Sequence, residues 1–161
     1  LDQAESVIRG VHAFVAPVMI GKDHPLYSVN DVYNGILVKG NMLGTSMFYG
    51  SGAGKLPTAS AVVADIIEAL KNPGHHVKMG WDGNRLNISA MDSVSFRYFV
   101  RIKGIAAKRL AEAEAAFGKV EVTELDHMDE FAVMTEVMTE EEYRLRAKKL
   151  SGIRQRIRAE I

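Results

Sequence analysis

The sequence contains no cysteine, which removes disulfides, thiolate metal sites and cysteine nucleophiles together and is compatible with a reducing cytoplasm. Charge of one sign is also missing: twenty basic residues balance twenty acidic ones. No overall field therefore draws the chain to nucleic acid or to an anionic membrane, and neither is expected as a partner. Long apolar runs are absent as well. Lys22, Asp23, Asp31 and Lys39 interrupt the most hydrophobic stretch, well short of the roughly 20 residues a membrane-spanning helix needs. The opening Leu1-Asp2-Gln3-Ala4-Glu5 has neither the basic start nor the apolar centre of a signal peptide, and reads as the tail of a helix in a chain that continues a longer one. What remains is a 161-residue chain, 47% hydrophobic and 25% charged, with enough apolar surface for one or two small cores.

Val11 to Ile20 is valine-rich with Pro17 inside it, the pattern of an extended segment whose proline sits at an edge or a bulge. Lys22 to Asn30 reads as a loop. Val32 to Val38 and Met42 to Tyr49 are apolar runs separated by Lys39-Gly40-Asn41, so a hairpin is expected. The second strand runs into Gly50-Ser51-Gly52-Ala53-Gly54. A helix then opens at Pro57 or Thr58, with Ala59, Val62, Val63, Ile66, Ile67 and Leu70 at helical spacing, and Asn72-Pro73-Gly74 ends it. Residues 75–92 form a connecting segment with a turn at Asp82-Gly83-Asn84.

The rest has a cleaner period. Val94, Phe96, Tyr98, Val100 and Ile102 alternate with more polar neighbours, as in a half-buried strand. A helix follows over 105–117, with Ile105, Ala106, Leu110, Ala113 and Phe117 on one face and Gly118 as its stop. Strands are expected at Val120 to Leu125 and Phe131 to Met138. Thr139-Glu140-Glu141-Glu142 matches a capping box, opening a helix that buries Tyr143, Ala147 and Leu150. Ile153, Gln155, Ile157, Ala159 and Ile161 alternate as a last strand. The order βαββαβ in residues 93–161 is that of a ferredoxin-like arrangement, and the whole chain is α+β.

A glycine cluster between a strand and a helix lets backbone approach a phosphate, and the helix N-terminus adds unpaired N–H groups. Gly50 to Thr58 has this form. It is not a Walker loop, because Leu56 follows Lys55 and Tyr49 stands where the first glycine belongs. It is also not the dinucleotide fingerprint, and a tight turn without a ligand has the same glycines. His24 before Pro25 is either a backbone cap or a carboxyl-orienting group. Adjacent His75 and His76 cannot share a strand face, which argues against a paired metal site, and His12 and His127 are isolated. Tyr33 and Asn34 are polar anchor candidates, with Asn34-Gly35 also readable as a bulge.

Several pieces in order, Val11-His12-Ala13, His24-Pro25-Leu26, Val32-Tyr33-Asn34-Gly35-Ile36, Tyr49-Gly50-Ser51-Gly52-Ala53-Gly54, Pro57-Thr58-Ala59-Ser60-Ala61-Val62 and Asp65-Ile66-Ile67, resemble the end of the catalytic region of homoserine dehydrogenases. The resemblance covers nearly half the chain. It implies residues 1–74 as the C-terminal part of that region, a partial α/β substrate-domain segment, in an enzyme that uses NAD or NADP to interconvert L-homoserine and L-aspartate 4-semialdehyde in threonine and methionine biosynthesis. It implies that the glycine-rich turn lies beside the cofactor, with Gly52 and Gly54, then Gly50 and Thr58, as backbone contacts. That family's nucleotide fingerprint, substrate carboxylates and catalytic lysine have no counterpart here, and Lys22, Lys39 and Lys55 do not replace them, although Lys55 lies near enough to the turn to meet a phosphate. The chain by itself is therefore expected to be inactive and to hold no cofactor tightly. Residues 93–161, following such a segment, resemble an ACT domain, the module many amino-acid pathway enzymes use to sense an amino acid, here threonine. Gly104, Thr123 and Asp126 are its candidate ligand residues. The aspartate and proline usual at its first strand-to-helix turn are absent from Arg101-Ile102-Lys103-Gly104-Ile105-Ala106, which leaves a dimerising role open beside a regulatory one. The apolar face of the helix after Pro57, deprived of a neighbouring domain, is expected to be buried by dimerisation, swapping or a shifted position, and a homo-oligomer, in the simplest case a dimer, is the expected assembly.

Overall fold

The computed structural model describes residues 11–74, 80, 83, 87–124 and 129–160. The chain separates into two compact units, 20–83 and a second built from both sides of it, 1–19 with 84–161.

The second unit opens with β1 (Val18–Met19). The first unit holds the hairpin of β2 (Tyr33–Gly40) and β3 (Gly44–Ser51) and the helix α1 (Lys55–Lys71). The chain then returns to the second unit through β4 (Ser95–Lys103), α2 (Ala106–Phe117), β5 (Val120–Glu124), β6 (Glu130–Thr135), β7 (Met138–Thr139), α3 (Glu140–Ala147) and β8 (Ile153–Ala159). Its sheet runs β1-β8-β4-β6-β5, with β7 also on β4, and every pairing is antiparallel except that of β1 with β8. The fold is thus mixed α+β.

Alternation in β4 does what its period predicts. Tyr98, Val100 and Ile102 are fully buried and meet Phe131 and Val133 of β6, Ala113, Ala116 and Phe117 of α2, and Tyr143 and Leu150 in one core. Burying side chains of this size contributes roughly 1.5–3 kcal/mol each before entropy is charged against it. The other face carries the charged neighbours, where Arg97 reaches Glu121 at 2.6 Å and Arg101 reaches Glu130 at 2.7 Å across strands. Gly118, at φ 85°, ends α2 as its sequence position requires. Ile105 is not on the buried face of that helix: it is the N-cap residue and is exposed.

The capping box is formed. Thr139 Oγ1 accepts from Glu142 N at 3.1 Å and Glu142 Oε2 accepts from Thr139 N at 2.9 Å. Leu150 is buried as expected, but beyond the end of α3 rather than within it.

Three features depart from simple periodicity. The strand expected over Phe131 to Met138 breaks at Glu136 and Val137 into β6 and β7. At the break the Thr135 hydroxyl accepts the Tyr98 N–H at 3.0 Å and donates to the Glu136 carbonyl at 2.8 Å, so a side chain takes over part of the ladder. In β8 the alternation of Ile153 with Gln155, Ile157 and Ala159 is also broken. The register shifts between Arg101 and Ile102 of β4, so that Ile102 faces Ile153 while Val100 faces Arg156. One extra residue in β8 turns Arg156 and Arg158 to the same side as Ile153, the core side. Third, the extended segment containing Pro17 supplies β1, which joins the edge of β8 in parallel, Val18 opposite Arg158. Leu125, Asp126, His127 and Ile161, the histidines at 75 and 76 and most of the 75–86 stretch, including Asp82 and Asn84 of its expected turn, lie outside the described residues.

The two arginines brought inward by the bulge meet Glu140. Arg156 Nη1 and Arg158 Nε and Nη2 all engage its carboxylate, the latter two at 3.0 Å, and Tyr98 Oη donates to it at 3.0 Å. Burial by itself would raise the Glu140 pKa, but the hydrogen bonds from Arg156, Arg158 and Tyr98 outweigh it and hold the group below the usual glutamate value. Burial, reinforced by the bond to Glu140, pushes the Tyr98 phenol up, so it stays a donor. A carboxyl depressed by folding stabilises above its unfolded pKa, about 4.3 for glutamate, and loses that contribution as pH falls through its lowered folded value. Glu140→Gln is therefore expected to cost about 2 kcal/mol near neutrality. Urea titrations across pH should show the gap between the two proteins closing in acid, below the ordinary glutamate range; a gap independent of pH would contradict the assignment.

Candidate functional site

In the first unit the hairpin is regular over eight pairs, from Tyr33 opposite Ser51 to Gly40 opposite Gly44. Asn34-Gly35 is therefore not a bulge. Gly35 is needed for a different reason: a Cβ there would lie 2.6 Å from Leu26 Cδ2 and 3.1 Å from Val29 Cγ2. The segment before the hairpin is packed directly on its backbone. That segment is a single turn of 3₁₀ helix, Pro25–Ser28, capped by His24, whose Nδ1 accepts the Leu26 N–H at 3.1 Å. The backbone-capping reading of His24 is the one observed. Tyr33 and Tyr49 stack with ring centroids 5.0 Å apart on that same hairpin face.

The other face carries Asn34, and it leads to the glycine-rich turn. Gly50 is directly opposite Asn34 in the ladder, and among the described residues nothing beyond its chain neighbours lies within 4 Å of where its Cβ would be. Gly52 is different. A Cβ on it would come within 2.3 Å of Asn34 Nδ2, so the carboxamide lies across the turn in space that only glycine leaves free. Gly54, at φ 115°, adopts a conformation that L side chains rarely reach and serves as the residue before the helix. Thus Gly52 is set by contact and Gly54 by backbone geometry, while Gly50 is set by neither.

The helix begins earlier than its composition suggests. Lys55, not Pro57 or Thr58, is its first residue, and the Thr58 N–H already bonds the Gly54 carbonyl at 3.1 Å. Thr58 is inside the first turn and is not the cap. Proline is tolerated in that turn because its missing N–H has no intrahelical acceptor there. By the same geometry the N–H groups of Lys55 and Leu56 are left without helical partners at the end of the glycine run. The first turn holds no acidic residue. Gly52, Gly54 and Thr58 are thus gathered in one strand-to-helix turn, with Gly50 at its entrance, Asn34 beside it and Lys55 at its exit. Asn34 owes its importance to the ladder register, which spacing alone did not single out. Gly52→Ala is expected to displace the Asn34 side chain, read as loss or movement of its carboxamide resonances with the hairpin amides retained; unchanged Asn34 signals would show that the turn has slack.

Of the residues considered for an amino-acid ligand in the second unit, Gly104 and Thr123 are described. Gly104, at φ 106°, follows β4, and a Cβ on it would sit 3.0 Å from Arg109 Cδ. Arg109 fills this turn: its Nη1 donates to the Lys103 carbonyl at 2.7 Å, and its Nη2 to the Ser151 carbonyl at 2.9 Å and to Glu112 at 2.7 Å. Thr123 is opposite Ala132 in β6, which is opposite Arg101 in β4, so it lies on the sheet face away from the core. Asp126 lies outside the described residues. Among the described residues there is no group of three or more His, Asp or Glu placed to hold a metal, and no helix is long and apolar enough to cross a membrane.

Comparison with known proteins bears on both units. Residues 2–67 match the family model of homoserine dehydrogenase. The homoserine dehydrogenase of Synechocystis is 55% identical over 69 residues, 43% of this chain and 15% of that protein. That of Mycobacterium bovis is 36% identical over 121 residues, 70% of this chain and 26% of that protein. The crystal structure of a homoserine dehydrogenase from Thiobacillus denitrificans superposes on 90% of this chain and 38% of its own, with TM-score 0.67 and 26% identity. The chain thus spans between 15% and 26% of the length of these two curated relatives. The match through the hairpin, the glycine-rich turn and most of α1, together with the likeness of the α+β fold, places the chain in the homoserine dehydrogenase family.

Proposed function

We propose that this chain is the C-terminal portion of an NAD- or NADP-dependent oxidoreductase that interconverts L-homoserine and L-aspartate 4-semialdehyde. The observation that carries the reading is the strand-to-helix turn Gly50–Thr58, in a segment matched by the family. Its backbone N–H groups at Lys55 and Leu56, the open side of Gly50 and the absence of a carboxylate in the first turn fit an anionic edge of a dinucleotide. When bound, the nicotinamide cofactor would supply the hydride chemistry. The turn's part is to close one wall: Asn34 fixes Gly52, and Gly54 aims the helix. No residue of this chain matches the family's catalytic lysine or its substrate carboxylates. The polypeptide by itself is accordingly expected to give no NAD- or NADP-linked oxidation of homoserine in a spectrophotometric assay; turnover by the pure chain would overturn the assignment of the chemistry to a part outside it.

For residues 93–161 the reading is a ferredoxin-like ACT domain, supported by the order β8-β4-β6-β5 with α2 and α3 sharing one core. Threonine is the effector that the family resemblance implies. A second reading, a homodimerising module, is favoured by Arg109, whose guanidinium already satisfies the carbonyls at the first strand-to-helix turn. The apolar side chains of α1, Leu56, Val62, Ile66 and Leu70 among them, are exposed in the single chain, which supports a dimer under either reading. Calorimetry with L-threonine, on a sample whose mass is checked by light scattering, separates the two. Saturable heat from a dimer is the expected outcome of the regulatory reading, a dimer giving no heat assigns the domain to assembly, and a monomer contradicts both.

A further inference from the structure

The sheet unit contains a groove that neither the glycine-rich turn nor the Arg109 turn accounts for. It lies between α3 and β8, has a volume of about 470 Å³, and is lined by Glu140, Tyr143, Arg144, Ala147, Lys148, Ile153 and Arg156. Its wall on α3 is set by helical spacing: Glu140, Arg144 and Lys148 follow one another at intervals of four, and Tyr143 and Ala147 form the adjacent row. Its wall on β8 is a product of the bulge, which turns Ile153 and Arg156 to the same side. Tyr143, Ala147 and Ile153 give it an apolar floor, and the charged groups stand around the floor.

Those charges are unequal. Three cations face one carboxylate, and that carboxylate, Glu140, is already saturated by Tyr98, Arg156 and Arg158. Arg156 lies with its guanidinium carbon 4.8 Å from the Tyr143 ring centre and commits Nη1 to Glu140, while a guanidinium carries five N–H donors. Lys148 pairs with no carboxylate among the described residues. Arg144 meets Asp92 at 3.3 Å, but both side chains are about half exposed, and pairs of that kind exchange readily with solvent and ligands.

We propose that this groove binds a small organic carboxylate with a short aliphatic body, the apolar part resting on Tyr143, Ala147 and Ile153 and the carboxylate held by Lys148 and Arg144 beside Arg156. The volume is in the range of small-ligand sites, and an apolar floor with a few convergent cations selects an amphipathic anion over a fully hydrated one. The site stands independently of the dehydrogenase reading, since every residue in it belongs to the sheet unit.

Titration of the isotopically labelled chain with sodium pentanoate, at ionic strength matched with sodium chloride, tests it by NMR. The expected result is saturable movement of the Ala147 and Ile153 methyl and Arg156 Nε signals. Lys148→Gln should weaken binding about threefold and Arg144→Gln/Lys148→Gln about tenfold, both without loss of the core signals, because these side chains are at the surface. Inorganic phosphate, an anion without an apolar body, should bind more weakly than pentanoate. Shifts that grow linearly and are reproduced by chloride, or that centre on the Arg97 and Arg101 face, would overturn the site; phosphate binding as tightly as pentanoate would overturn the ligand class.

Discussion

A carboxylate out of water must be met by donors, and Glu140 is where this requirement organises the sheet unit. The cost of desolvating it is recovered only with good geometry and several partners. Here the partners come from β4 through Tyr98 and from β8 through Arg156 and Arg158, while the carboxylate itself begins α3. One acidic group thus fixes the height of a helix over two strands. The arginines extend its reach, because Arg158 also lies over the rings of Phe14 and Phe96, bringing the segment before β1 into the same arrangement. Tyr98 and Tyr143 stack at 4.2 Å, and Phe117 stacks on Tyr143 at 5.6 Å, so the polar network continues into the aromatic core without a gap.

The hairpin unit depends on a different constraint, the absence of side chains at chosen places. Gly35 admits Leu26 and Gly52 admits Asn34, on opposite faces of the same hairpin. The first contact packs the preceding turn against the strands; the second orients the loop that leads to the helix. Together, on the path from Pro25 to Lys55, Gly35 and Gly52 are the two close approaches by which one element positions the next. The family match, over residues 2–67, runs through this whole segment and not only through its glycine cluster.

Much of this was legible in the residues themselves, and the parts that were not share a cause. The alternation of β4, the Thr139–Glu142 capping box, the Gly118 stop and the hairpin are local: the residues that specify them are within a few positions of one another. The bulge in β8 is not. Ile153, Gln155, Ile157 and Ala159 alternate well enough to suggest a regular strand, whereas the shifted register puts Ile153 opposite Ile102 and brings Arg156 and Arg158 to Glu140, partners far away in sequence. The break at Glu136 likewise depends on Thr135 meeting Tyr98, 37 residues away. In the glycine-rich turn, composition placed the helix start too late, since Lys55 and Leu56 carry no capping signature. Asn34 became meaningful only once it was opposite Gly50.

The pairing of β1 with β8 has a consequence for how the protein comes into being. Val18 lies against Arg158, so during synthesis the first strand of the sheet leaves the ribosome long before its partner exists, and the entire hairpin unit is made in between. Long-range pairing of this kind is slow to form, because the loop must close before any contact rewards it. The hairpin and α1 can take shape while β1 waits, and the sheet closes last. A ribosome that stalls or terminates before β8 would therefore release a chain whose hairpin unit is complete but in which β1 is unpaired and β4 has lost the neighbour on that side, bare strand edges that quality control can recognise.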